Sequence, residues 1–211
     1  MTLGEIKIEA LRIMFANNEI LSVESIDEYK TDDTYKDYLD RMNGSINRAI
    51  RRMETRKLIP TKTKILTLEQ GTVKGLNIRF NLAATIPDYG SIDRIIYEND
   101  LGCYEPFTGF KTEGFGLIVL PALKDATEWY TVIYNPILEP YNSATDETET
   151  IPLPNSLAAA IPYFVKADLY EEDEPELAAT ARNIFESQLD EYQLYAKEPA
   201  TIQTNVKNVL F

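Results

Sequence analysis

The sequence predicts an α+β protein in which helices at both ends of the chain flank an inserted β-region. Three observations carry this. Apolar residues recur at helical spacing before about residue 60 and again after about residue 152. Between these limits, short β-branched and aromatic runs are split by Gly, Pro, Asn and Asp. Glycine follows the same division, with seven of the nine falling between Gly71 and Gly116. The expected domains are a discontinuous α-helical bundle (1–60 and 152–198), an inserted small β-sandwich or barrel (61–151), and an extended C-terminal tail (199–211).

Leu3 to Ala16 reads as the first helix, with Ile6, Ala10, Ile13 and Met14 on one face and Leu3 and Phe15 at its edges. Residues 19–30 form a connector. A second helix is expected from about Asp32 to Lys57. Its apolar positions Tyr35, Leu39, Met42, Ile46, Ala49 and Met53 alternate spacings of four and three, a narrow heptad seam. Acids fill its first half and arginines its last turns, which complements the helix dipole. Gly44 weakens it by ~1 kcal/mol relative to alanine.

The runs "TKILTLEQ", "LNIRFNLAAT", "IDRIIYE", "GFGLIVLP" and "EWYTVIYNPIL" predict at least five strands. Glu139 to Thr150 is polar and aperiodic, and reads as an exposed loop. Helices resume at Asn155 or Ser156, either of which suits a cap. Leu157, Ile161, Phe164, Val165 and Leu169 can share a face, and Pro162 marks a kink or a first helical turn. The last helix is expected from Pro175 to Lys197, with Leu177, Ala181, Ile184, Phe185, Gln188, Tyr192 and Tyr195 facing inward.

Between these two helices stands "EEDEPE". Pro175 suits a first helical position, and the preceding acids can satisfy free N–H groups. The run therefore reads as punctuation between helices, with a partner-binding role as the alternative. The tail alternates loosely through Ile202, Thr204 and Val206, then ends in Val209-Leu210-Phe211. Such a tail either packs on its own domain or reaches another chain.

The net charge of −13 is unevenly spread. Residues 1–64 hold 12 Lys/Arg against 11 Asp/Glu, net +1. Residues 65–150 hold 5 against 13, and residues 151–211 hold 4 against 10. Global nucleic-acid binding is not expected, because phosphate attraction follows local positive charge. A local basic face remains: Arg48, Arg52 and Arg56 recur every four residues. It either complements the helix dipole and pairs with the acidic helices, or faces DNA or an acidic neighbour.

The absence of histidine excludes Ser-His-Asp and Cys-His catalysis, HExxH sites and zinc fingers of the Cys2His2 type. The single cysteine, Cys103, cannot form an internal disulfide. No apolar run approaches the ~18 residues of a transmembrane helix. "MTLGEIKIEA" lacks the pattern of a secretion signal. "GFKTEGFG" has the glycine separation of a phosphate loop, but Phe115-Gly116 stands where Lys-Ser/Thr is required. Asp88 and Asp93 are paired acids of the kind glycoside hydrolysis uses, although an acidic chain supplies such pairs by chance. Neither cofactor nor metal is expected. The aromatics between Tyr89 and Tyr134 suit a core or an interface equally.

"LPNSLAAAIPYFVKADLYEEDEPELAATARNIFESQLDEY" resembles the C-terminal helical signature of head–tail connector proteins of tailed bacteriophages. The features are Leu153-Pro154, the small-residue helix from Ala158 to Tyr170, the acidic turn from Glu171 to Ala178, and the helix containing Arg182. "EALRIMFANNEI" and "SINRAIRRME" are similar to portal-bound adaptors. The β-region looks more like that of the larger adaptors of short-tailed phages. The resemblance implies a non-enzymatic structural protein of the virion neck, assembled in the host cytoplasm. It implies a homo-oligomeric ring, typically of twelve copies, that binds the portal protein and the next tail or neck protein. The ring would surround the channel for double-stranded DNA without touching a membrane. On this reading Ile202, Val206, Val209, Leu210 and Phe211 dock on the portal. Arg48, Arg52 and Arg56 would meet a neighbour or the channel. Glu171, Glu172, Asp173 and Glu174 would pair with an adjacent subunit. The other readings are a different tail-completion or interaction protein, and a carboxylate-dependent hydrolase.

Overall fold

The computed structural model describes residues 1–15, 21–98, 104–122 and 130–196. It divides into a unit formed by the two chain ends, 1–49 with 142–211, and a second unit spanning 50–141. The division falls within a helix at Ile50 and again after Tyr141.

In the first unit α1 spans Leu3–Met14 and opens on a capping box. Glu5 N–H donates to Thr2 Oγ1 (3.2 Å) and Thr2 N–H donates to Glu5 Oε2 (2.8 Å). Two further free N–H groups are satisfied from far along the chain: Leu3 donates to Glu149 O (2.9 Å) and Gly4 to Glu147 O (2.8 Å). The carbonyls at its other end receive Lys166 Nζ, at Ile13 O (2.8 Å), and Tyr170 OH, at Met14 O (3.0 Å). α1 therefore takes both ends' partners from the C-terminal half. The segment 142–150, part of the loop expected to be exposed from Glu139 to Thr150, is largely exposed but pinned to α1, with Thr2 bridged to Thr150. The buried face of α1 is broader than the expected stripe and includes Ile8, Leu11 and Lys7.

α2 is a single turn, Ile26–Tyr29, and α3 runs Lys36–Thr55. The helix starts at Lys36 rather than Asp32; the expected seam residues Leu39, Met42, Ile46, Ala49 and Met53 within it are buried, as are Tyr35 just before it, Ser45 and Ile50. Phe15 packs edge-on against Tyr35 and Tyr38, at 5.3 and 5.1 Å between centroids.

Among the described residues the second unit carries eight strands, with short helical turns between them. β1 (Lys62–Leu66), β2 (Gly71–Lys74) and β3 (Asn77–Asn81) precede the turn α4 (Leu82–Thr85). β4 (Tyr89–Glu98), β5 (Tyr104–Pro106), β6 (Lys111–Thr112), β7 (Leu117–Pro121) and β8 (Tyr130–Pro136) follow. Two open antiparallel sheets result, ordered β1-β8-β4-β5 and β2-β3-β7-β6. This is a sandwich, not a closed barrel. Its core draws Leu66, Tyr89, Ile95, Tyr130, Val132 and Tyr134 from or beside the first sheet, and Ile78, Phe80, Ile118 and Leu120 from the second.

"LNIRFNLAAT" is not one strand. Asn81 Oδ1 accepts from Ala84 N–H (3.1 Å), so the chain turns into α4 at a side-chain cap. "LEQ" is likewise a 3₁₀ turn at Leu68–Gln70. β2 and β3 join through Gly75-Leu76, with Gly75 at φ +64° in the first turn position of a two-residue hairpin.

Returning to the first unit, α5 covers Asn155–Ala158, α6 Ile161–Leu169 and α7 Pro175–Ala196. Pro162 lies in the first turn of α6. Pro154 holds the cap position of α5, and neither Asn155 nor Ser156 does. α6 packs on α1 and α7, with Phe164 against Phe185 at 5.0 Å. The inward stripe of α7 is Ala178, Ala181, Phe185 and Leu189. Leu177, Ile184 and Tyr195, expected inside, are exposed by 46, 38 and 67%. They sit on the flank of the buried stripe, since each residue turns the helix by about 100°.

Candidate interaction surfaces

α3 carries the arginine row, and its members have different surroundings. Arg48 is committed within its own unit. Its Nε donates to Asp168 Oδ1 (3.1 Å), Nη2 donates to Asp168 Oδ2, and Ser45 Oγ donates to the same oxygen. The hydrogen bond to Asp168 raises the Arg48 guanidinium above its ordinary pKa. Burial pushes the Asp168 carboxyl upward, but the bonds from Arg48 and Ser45 outweigh it and hold the group below the usual range. Arg52 is exposed and Arg56 half-buried. Both engage other groups of the protein. Arg41 and Arg51 are exposed on the same helix and have no ion-pair partner among the described residues.

Glu171, Glu172, Asp173 and Glu174 are exposed on the turn between α6 and α7. Glu174 O accepts the first helical bond, from Ala178 N–H (2.9 Å), so the turn does serve as helix punctuation. Glu171 lies 3.5 Å from Arg182.

A second charged clasp was not foreseen from the sequence. Lys7, 3% exposed, reaches Glu147 Oε1 at 2.8 Å, and Lys30 reaches the same oxygen at 3.1 Å. Burial lowers the Lys7 pKa against the pull of Glu147. Position 7 lies one residue from Ile6 and Ile8, both fully buried. That local pattern is the only trace of the clasp in the sequence.

The apolar surface is uneven. Leu177, Ile184, Leu194 and Tyr195 are exposed along α7. In the β-unit the exposed set includes Val73, Leu76 and Phe115, with Leu76 at the β2–β3 turn. The aromatics of the β-region, which suited core or interface equally, mainly fill the core. Tyr97 and Phe107 pack at 5.7 and 5.0 Å from Tyr130. Trp129 lies outside the described residues.

A cavity of about 550 Å³ opens between α1 and α6, lined by Glu5, Ile8, Glu9, Ile13, Tyr163 and Gln188 among others. A shallower depression of about 360 Å³ adjoins Gln188 on α7, lined by Thr180, Asn183, Ile184 and Ser187. The Gln188 Oε1 atom is buried and has no hydrogen-bond partner among the described residues. Among the described residues no group of three or more Cys, Asp and Glu side chains could hold a metal ion. Among the described residues no helix is long and apolar enough to cross a membrane.

The paired acids have different partners. Asp88 binds Lys62 Nζ (2.6 Å) and Tyr134 OH (3.0 Å), whereas Asp93 faces Arg94 (3.8 Å). Gly114 and Gly116, at φ +117° and +69°, belong to the turn between β6 and β7. A Cβ at Gly116 would fall 2.7 Å from Ala83 Cβ. Ile202, Val206, Val209, Leu210 and Phe211 lie outside the described residues. No family model matches the chain, and no curated protein matches it significantly.

Proposed function

We propose that this chain is a structural adaptor of the head–tail joint of a tailed phage. Copies form a ring that binds the portal on one side and the next tail component on the other, around the DNA channel. The resemblance of residues 153–192 to connector proteins supplies the class. The observation that carries the reading is the uncovered apolar surface of α7, where Leu177, Ile184, Leu194 and Tyr195 stand in water. Exposed apolar clusters of this kind mark interaction sites in soluble proteins. The β-unit carries its own set at Val73, Leu76 and Phe115, which suits a protein with more than one partner.

The tail, Ile202 to Phe211, is the element assigned to the portal. Deletion of residues 200–211 should leave the unfolding midpoint unchanged and abolish co-purification with the portal of the same phage. Retained binding by the truncated chain would remove that assignment.

A further inference from the structure

The β2-β3-β7-β6 sheet turns one face to the core and the other to water. Ile78, Phe80, Ile118 and Leu120 are buried on the inner face. Strand alternation puts their neighbours on the outer face. The register lines up four outer residues across the whole sheet: Thr72 pairs with Arg79, Arg79 with Val119, and Val119 with Lys111. Lys74, two residues along β2 from Thr72, stands in the adjoining row beside Asn77. A depression of about 260 Å³ opens on this face, lined by Thr72, Lys74, Asn77, Arg79, Glu113 and Val119.

The charge of this face opposes that of the sequence around it. Residues 65–150 hold 5 Lys/Arg against 13 Asp/Glu. Lys74, Arg79 and Lys111, three of those 5, stand here, and Glu113 is the one acid in the lining. Glu113 pairs with Arg79 at 2.5 Å. Lys74 and Lys111 are exposed and have no ion-pair partner among the described residues. Three strand spacings and a two-residue offset separate their Cα atoms by about 16 Å. Thr72 and Asn77 add a hydroxyl and an amide donor between them. The face therefore offers two ammonium groups and neutral donors to an anionic partner.

The helical unit displays an anion of that form. Glu171, Glu172, Asp173 and Glu174 are four successive exposed acids. Arg182 approaches Glu171, whereas Glu172 and Asp173 have no ion-pair partner among the described residues. Two carboxylates on one turn match two ammonium groups on one sheet face, and the flexible four-carbon lysine stem lets each reach its partner. A nucleic-acid backbone fits less well. Two cations neutralise about two phosphates, and the chain as a whole carries −13.

We infer that the outer face of the β2-β3-β7-β6 sheet in one copy receives the acidic turn of a second copy, with Lys74 and Lys111 meeting Glu172 and Asp173. The contact is heterologous, joining two different patches, and repetition of such a contact generates a ring or a helical filament. The inference rests on the assembly reading above and assigns its subunit interface.

The test uses a zero-length carbodiimide, which joins a lysine amine to a carboxylate as an amide only when the two are in contact. Equal amounts of ¹⁴N- and ¹⁵N-labelled full chain are treated together at high concentration, and the joined peptides are mapped by mass. Mixed-isotope products linking Lys74 or Lys111 to residues 171–174 are expected. Products of the same linkage in one isotope only place the contact within one copy and overturn the inference. Mixed-isotope products elsewhere, or none at all, also overturn it, and the portal-binding experiment judges the adaptor reading separately. A labelled random-sequence DNA duplex is the second probe. Duplex binding by the parent chain that disappears in K74E/K111E would give the face to nucleic acid and overturn the inference.

A further measurement uses charge. The variants K74E/K111E and E172K/D173K should each associate about tenfold more weakly than the parent chain, read by sedimentation velocity. The combined variant K74E/K111E/E172K/D173K keeps the parent's net charge of −13. It should recover association, with carbodiimide products again joining the sheet face to the turn. Failure of the combined variant to recover, or equal association by all four proteins, would exclude the pairing.

Discussion

The β-unit and the helical unit are closed by different forces. In the β-unit the core is apolar and aromatic, drawn from both sheets, and its charged pairs such as Lys62–Asp88 lie toward the surface. In the helical unit, charged clasps join parts of the chain that are far apart in sequence. Lys7 and Glu147 are 140 residues apart, and Arg48 and Asp168 are 120 apart. A sandwich of hairpins and sheet neighbours is specified largely by strand pairing and alternation. A body assembled from two chain ends needs contacts that define which segment meets which. The clasps supply that selectivity, whereas apolar burial supplies most of the stability.

The largest effects should come from the two cores. Phe80→Ala in the sandwich and Phe185→Ala on the buried face of α7 remove fully buried rings, and each should cost about 3–5 kcal/mol in chemical denaturation. Ile184→Ser, one residue from Phe185, should change stability by less than about 0.5 kcal/mol, because that side chain does not contribute to the intramolecular core. A large loss from Ile184→Ser would mean that α7 is fully seated.

Next come the clasps. Glu147→Ala leaves the Lys7 ammonium buried beside apolar neighbours and should cost about 3 kcal/mol. The double variant Lys7→Met/Glu147→Leu should recover most of that loss, since both charges leave together. The Arg48–Asp168 pair is weaker, with the Arg48 side chain about half exposed. Asp168→Asn should cost about 1 kcal/mol, less at high salt. Because the folded state holds the Asp168 carboxyl below its ordinary pKa, its contribution is present above about pH 4. It is lost as the pH falls through the lower folded value. Acid titration of the Asp168→Asn variant should lack that component.

The smallest effect separates the β-unit by pH. Burial, and then the hydrogen bond to Asp88, push the Tyr134 hydroxyl up to about 12. The folded state therefore keeps a proton that the unfolded state gives up near pH 10. The contribution of Tyr134 is present below pH 10 and declines between pH 10 and about 12. Tyr134→Phe should flatten the loss of thermal stability over that interval and leave the helical clasps untouched.

How much of this was legible in the sequence follows from the same contrast. The seam of α3 is visible because Leu39, Met42, Ile46, Ala49 and Met53 repeat on one face and are buried together, with Tyr35 just before the helix. The longer strands are visible through β-branched runs. β2, β5 and β6 are short, and two to four residues carry too little periodicity to register. The α4 turn was hidden because "LAAT" continues an apolar strand pattern, and only the Asn81 cap marks the change. On α7 the sequence shows a wide apolar face but not which part of it is covered, because the packing of α6 decides that. The charged clasps depend on meetings across more than a hundred residues, which no local pattern records.

Native mass spectrometry of this protein mixed with a portal protein encoded beside it is the most direct test of the proposed adaptor role. The account predicts one discrete complex, with a closed ring of copies on the portal ring, formed by the parent chain and greatly reduced for the Ile184→Lys variant. A folded chain that stays monomeric beside an intact portal ring would contradict it.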